Sequence, residues 1–502
     1  MSKVLVIGID GMDWRVLEPL LPDLPNLREI ARSGFAGPMD SIFPPDSIPS
    51  WVSIFTGLDP SEHGILESID YFKKGVKQFA VNTAAFRGRT FWDAAGGLGK
   101  KVIVVNPLLA YPPWNVNGLM ASGPVFISGE AGIMPDTLRA RYTLPPLGGI
   151  VDFPNKRDLR SFADKSKAET QAIVDFTAHL LESEPWDLSF VTLLTLDRIF
   201  HFFWRYYDAD DPTHPRRSPH ADVIENFHRF LDDCVGSLMR SAGAGTLAFI
   251  VSDHGHGMRP TLHFNLNELL LEEGLLVSRI RGPRILSPRY HVDRAKNAAL
   301  ETLHRLDLED LSYRVARILP WTRKLKKGDF MTERSENLAT ASEFGGNNPF
   351  GGIDVSKTRC ERDGIDYEKL RSRIIAILLG VKDARGERIF LWARRREEIY
   401  HGEHIDRYPD ILYEMRAEFG TSWSLYRPLV TLNPRHRKIS GGHRRTGVFI
   451  AGPLAGRRVR REDLSPLNIA ATVLDVLLEA PPGDPRPPLS TGIAGTSFLE
   501  RH

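Results

Sequence analysis

Short apolar runs recur along the chain, each closed by glycine or by a cluster of polar residues. Residues 3–7, 101–106, 188–194 and 247–252 are nearly continuous in Val, Ile, Leu and Phe. That is the pattern of strands buried on both faces of a parallel sheet. Residues 119–122 and 448–451 read as shorter strands of the same kind, and 388–392 as another. Between them, apolar residues fall at helical spacing over 25–33, 156–183, 264–270, 366–380 and 468–478, and Gly34 and Gly274 sit where two of these helices should stop. Residues 338–355 are rich in Gly and Asn and read as a loop. Alternating strands and helices predict an α/β fold: a mainly parallel sheet with helices on both faces.

The alternation breaks at about 278–335. Between Arg279 and Lys327 there are 13 Lys/Arg against 5 Asp/Glu, and Leu300, Leu303, Leu306, Val315, Ile318 and Leu319 suggest amphipathic helices. The expected organisation is a core over 1–277 and 336–502 with a basic helical insertion, or cap, at 278–335. Such a segment serves as a solvated helical face, as a lid over an anionic substrate, or as a peripheral contact with an anionic membrane surface.

Composition narrows the classes further. Over 502 residues the net charge is only +2, so bulk charge gives no case for nucleic-acid binding. Two distant cysteines, Cys234 and Cys360, imply neither a disulfide framework nor a cysteine metal site. No apolar run approaches the roughly 20 residues of a membrane span. The first strand begins at Lys3, which leaves no room for a signal peptide, and the expected location is cytoplasmic.

Polar residues able to do chemistry follow the apolar runs. Asp10 ends the first strand between Gly8 and Gly11, at the edge where open α/β sheets collect ligands. Ser47 lies between Pro45 and Pro49 before a helix, either as an ordinary N-cap or as a nucleophile at a helix N-terminus. Asp197 and His201 are four apart after the strand at 188–194: a capping Asp and a surface His, or one face gripping a cation. Asp253 and His254 stand at the end of the strand at 247–252, with Gly255 and Gly257 beside them, and His443 follows Gly441-Gly442 on a loosened loop. Together Asp10, Asp197, His201, Asp253, His254 and His443 make an oxygen–nitrogen set suited to two divalent ions, and two such ions suit in-line displacement at phosphorus.

In order, the motifs are G-I-D-G-M-D at 8–13, P-P-D-S-I-P-S-W at 44–51, T-G-L-D-P-S-E-H-G-I at 56–65, L-D-R-I-F-H at 196–201, S-D-H-G at 252–255 and G-G-H-R at 441–444. With these six the chain resembles the type I phosphodiesterase/nucleotide pyrophosphatase family of the alkaline phosphatase superfamily, over most of its length apart from the basic insertion. The resemblance implies one metal on Asp10, Ser47, Asp253 and His254 and a second on Asp197, His201 and His443. It implies zinc, or else manganese, and a small phosphoester substrate. Ser47 would attack phosphorus, giving a phosphoseryl intermediate that is then hydrolysed. One departure stands out: the family carries an Asn shortly after H-G-I, and here Ser68 follows Glu67. Ser68 and His256 are the candidate substrate contacts, His256 alternatively a group behind the ligands. The competing readings are a phosphomonoesterase or phosphonate hydrolase on the same scaffold and, in another class, a non-catalytic phosphate-binding protein. The sulfatase pattern C-x-P-x-R is absent, and no large transferase insertion of the phosphoglycerate mutase kind follows Ser47.

Overall fold

In the computed structural model the first apolar run is the strand Val4–Ile9, buried along its whole length. The structure describes residues 3–66, 83–125, 129–149, 153–278, 288–308, 336–478 and 493–501. Val4–Ile9 lies inside an eight-stranded sheet of order Phe35–Asp40, Thr446–Gly452, Leu247–Val251, Val4–Ile9, Leu188–Leu193, Val102–Val105, Gly118–Ser122 and Gly132–Met134. The five strands from Leu247–Val251 to Gly118–Ser122 are parallel, with Val4 opposite both Leu188 and Leu247. Their carboxyl ends therefore share one edge. Thr446–Gly452 runs antiparallel to Leu247–Val251, so its amino end, and His443 just before it, arrives at that same edge.

Aromatic packing fixes the helix Ser47–Thr56 on one face of the sheet. Phe55 lies 4.8 Å from Trp92 and 5.4 Å from Phe190 between ring centroids, and Trp92 lies 5.5 Å from Phe190. Each such pair is worth about 0.5–1.5 kcal/mol beyond its buried area. Trp51 needs the missing side chain of Gly8, because a Cβ there would come within 2.5 Å of its ring. The motif at 56–65 continues this element. Gly57 ends the helix in the left-handed region, Asp59 and Glu62 form a capping box on the turn Pro60–His63, and His63 bonds back to Ser53 at 3.1 Å. The long helix Leu159–Ser183 packs with Val223–Ala242 and Thr195–Tyr207.

The described chain divides into two compact units. The first, Met1–Tyr207 with Arg216–Gly257 and His443–His502, contains the eight-stranded sheet. The second, Asp208–Pro215 with Met258–Gly442, is built on a four-stranded antiparallel sheet and a three-stranded sheet. Within it, Asp211 accepts from His436 Nε2 at 2.8 Å, which ties the short segment 208–215 to the rest.

Two readings of the pattern change here. Residues 338–355 are not a loop, since they supply the strands Ala339–Ala341 and Phe350–Val355. Their glycines serve close packing: a Cβ on Gly351 would lie 2.5 Å from Tyr413 Oη, and one on Gly352 would lie 2.4 Å from Pro409. Phe264 and Asn265 belong to the strand Leu262–Asn265, and the helix after them is Leu266–Glu272. Of the basic segment 278–335, the described part contains the helix Pro288–Arg305, and most of the remainder lies outside the described residues. No described helix is long and apolar enough to cross a membrane.

Candidate active site

Seven side chains named from the sequence meet at the carboxyl edge of the large sheet, all within the first unit. Asp10 follows the first strand, its backbone N–H donating to Leu193 O at 3.0 Å. Ser47 Oγ donates to Asp10 Oδ1 at 3.2 Å and lies 3.0 Å from His254 Nε2. Trp51 Nε1 donates to the other Asp10 oxygen at 2.9 Å, so the tryptophan that anchors the Ser47 helix also orients the carboxylate. His254 Nε2 is 3.7 Å from Asp10 Oδ1 and 3.4 Å from Asp253 Oδ2. The Gly11 N–H donates to Asp253 Oδ1 at 3.1 Å. Gly11 has a φ of +72°, and a Cβ on it would come within 3.2 Å of Asp197, so both backbone conformation and space require glycine.

A second cluster adjoins the first. Asp197 Oδ1 lies 3.3 Å from His201 Nε2 and 3.3 Å from His443 Nε2, and those two nitrogens are 3.2 Å apart. Donor atoms on the face of a tetrahedron around an ion about 2.0 Å away would be about 3.3 Å apart. The triangle matches that spacing. His443 Nδ1 donates to Pro45 O at 3.0 Å and His254 Nδ1 to Gly255 O at 2.9 Å. With Nδ1 donating to a carbonyl, each ring directs its Nε2 into the site, the nitrogen that an imidazole offers to a metal when neutral.

The electrostatics point the same way. Asp253 Oδ2 and Asp197 Oδ1 are buried without a hydrogen-bond donor. Burial and the neighbouring Asp253 and Asp197 carboxylates raise Asp10 well above the usual range. Burial pushes Asp253 up to about 7, with Asp197 adding to the rise. Burial, then the His443 charge, brings His254 down to about 3. Burial also acts to raise Asp197, but the facing His201 and His443 outweigh it and hold it well below the usual range. Carboxylates crowded in a dry interior are costly unless a cation joins them. Asp10, Asp253 and His254 make one donor group within reach of a single ion, and Asp197, His201 and His443 make another. These residues fit two divalent cations.

Local structure corrects three expectations. Ser47 is not the N-cap: Asp46 is, accepting from Ile48 N at 3.0 Å, and Ser47 is the first helical residue. Asp197 is not a cap either, because its helix Thr195–Tyr207 starts two residues earlier. His443 sits on the short strand Gly441–Arg444 rather than on a loop. Ser68 lies outside the described residues.

His256 is buried beside Asp197, its Nδ1 at 3.6 Å from Asp197 Oδ1, with its ring stacked on Phe200 at 5.0 Å and 17°. Sequence reasoning missed Trp51, Asp13 and Arg15. Asp13 caps the helix Trp14–Leu20, and its bond to a residue 243 positions away had no local signal.

A family model described as Type I phosphodiesterase / nucleotide pyrophosphatase matches residues 4–421. The chain belongs to that family. It is therefore a hydrolase acting on phosphoester bonds, and membership implies the use of divalent metal. Among solved structures it is similar to murine ectonucleotide pyrophosphatase/phosphodiesterase 5, seen with AMP, at 13% identity and a TM-score of 0.46, over 96% of this chain and 97% of that one. The human protein of the same name gives 12% identity and a TM-score of 0.44 over the same shares. A comparison with curated proteins found no match.

Proposed function

We propose that this phosphodiesterase works by two in-line steps at Ser47, with two divalent cations, zinc or manganese, in the donor groups Asp10/Asp253/His254 with Ser47 and Asp197/His201/His443. The observation that carries the reading is the placement of Ser47 Oγ, 3.2 Å from Asp10 Oδ1 and 3.0 Å from His254 Nε2. When bound, the cations lower the pKa of a coordinated oxygen and neutralise charge gathering on the phosphoryl group. The protein's own groups do the rest. Asp46 takes the capping bond, which leaves the Ser47 hydroxyl for chemistry. The hydroxyl proton is directed at Asp10, whose other oxygen Trp51 holds. The positive end of the helix Ser47–Thr56 favours an anionic phosphoryl group beside Ser47. In the first step an Oγ–P bond forms, the bond to the leaving oxygen breaks, and that oxygen takes up a proton. In the second, water displaces Ser47 from phosphorus and the serine regains its proton.

The test compares an aryl phosphodiester with its matching monoester, using metal-depleted protein as control. The diester should be the faster substrate, and depleted protein should be inactive. A faster monoester would place the chain with the phosphomonoesterases, and no turnover of either would favour a phosphate binder. Acid-quenched enzyme should carry phosphate on the peptide containing Ser47, and a chiral thiophosphate diester should react with retention. Inversion would mean direct attack by water and would overturn the serine mechanism.

A further inference from the structure

His256 has no task in that mechanism, yet it is fully buried at the centre of the site. Neither ring nitrogen has a hydrogen-bond partner, an arrangement that needs a reason. Its ring is packed against aromatic neighbours. Phe200 stacks on one face, and the His201 ring meets it edge-on at 4.7 Å. Gly11 makes room for it, because a Cβ there would lie 3.3 Å from Nδ1. Its backbone is gripped at both polar atoms: His256 N donates to Asp13 Oδ2 at 2.9 Å, and Arg15 donates to His256 O at 2.9 Å. Asp13 and Arg15 are themselves joined at 3.0 Å. A side chain needed only for packing does not call for such a clamp.

We infer that His256 is a positioning residue for Asp197, presenting an Nδ1–H to its carboxylate and so setting the affinity of the cation held by Asp197, His201 and His443. The inference rests on the two-cation reading above. Nδ1 faces Asp197 Oδ1 at 3.6 Å, too long for a formed hydrogen bond but close enough for a carboxylate charge to fix the neutral ring's one proton on that nitrogen. Direct ligation fits less well: Asp197, His254 and His256 also lie close enough to share one ion, but that set would take His254 from the donors around Asp10 and Ser47. The triangle of Asp197, His201 and His443 already supplies three protein donors. A fourth would fill the position a catalytic cation keeps open for substrate. Outer groups that orient a ligand typically change metal affinity by about 10–100-fold when removed.

The experiment titrates Zn2+ into metal-depleted, full-length protein against a chromophoric chelator, so that activity is not the readout. Wild type should bind two equivalents. His256→Leu should keep one and bind the other at least about tenfold more weakly. In His256→Asn the amide nitrogen stands near the place of Nδ1, and this variant should remain within about threefold of wild type. Arg15→Ala, at an exposed residue, loosens the clamp without touching the core and should weaken the same equivalent by about three- to tenfold; it decides the matter if His256→Leu does not fold. Two tight equivalents in His256→Leu would overturn the inference, as would an Asn variant as weak as Leu. Fewer than two equivalents in wild type would instead overturn the two-cation reading itself.

Discussion

A serine that opens a helix is ordinarily occupied with capping it. Here Asp46 takes that bond, at 3.0 Å to Ile48 N, and Ser47 is turned toward Asp10 and His254. Replacing Ser47 with Ala should therefore leave fold and cation binding largely intact, since Asp10, Asp253 and His254 remain, while turnover falls at least about a thousandfold. Metal content and kcat measured on one preparation check this, and a variant with near-normal kcat would reduce Ser47 to a ligand. The convergence of the proposed ligands was legible in the sequence for those that follow an apolar run, because the end of such a run has only one place to go in a parallel sheet. Asp253 and His254 follow Val251 as Asp10 follows Ile9. What stayed hidden is the contact made at a distance. The bonds from Asp13 and Arg15 to His256 join residues more than 240 positions apart, and no spacing rule predicts them.

Buried elements with one dominant period were readable, and elements shaped by glycine were not. Phe350–Val355 was hidden because Gly351 and Gly352, which mark loops in isolation, are here the residues that let Tyr413 and Pro409 approach. The helix Val223–Ala242 illustrates a different consequence of burial. Its His228 packs 5.6 Å from Phe200, the ring that stacks on His256, and donates Nδ1–H to Ile224 O at 2.8 Å. Burial lowers His228 to about 4 from 6.5. The folded protein thus keeps it neutral while the unfolded chain takes up a proton near pH 6.5. The stability it contributes is complete above that pH and is lost as the pH falls toward 4. In metal-free protein, where cation release plays no part, wild type should lose more thermal stability between pH 7 and 4.5 than His228→Gln does. Parallel melting curves for the two would show that His228 is not titrating in this range.

At the scale of the whole molecule, the basic segment 278–335 breaks the α/β pattern of the sequence, and most of it lies outside the described residues. We propose that it tunes substrate choice, and replacing it with a short neutral linker should change both substrate preference and the salt dependence of turnover. Cation binding has a consequence that reaches further through the fold. In the metal-free protein, burial and adjacent carboxylates raise Asp10, and burial pushes Asp253 up to about 7. A raised carboxyl favours the folded state below its unfolded value of 3.8, and that contribution is lost as the pH rises through about 7. Ligands that bind only the folded state stabilise it by about 2.7 kcal/mol at a hundred times Kd, and a divalent cation also removes the carboxylate repulsion. Chelation should therefore lower the melting temperature, and by more at pH 8 than at pH 6. Adding back zinc or manganese should restore it. Every proposed ligand lies in the first compact unit, so hydrogen exchange should rise on chelation in peptides carrying Asp10, Asp197, Asp253 and His443. Exchange in the antiparallel sheet around Ile411–Met415 should stay unchanged. A melting temperature and exchange pattern indifferent to chelator at pH 8 would show that these buried carboxylates are satisfied without a cation.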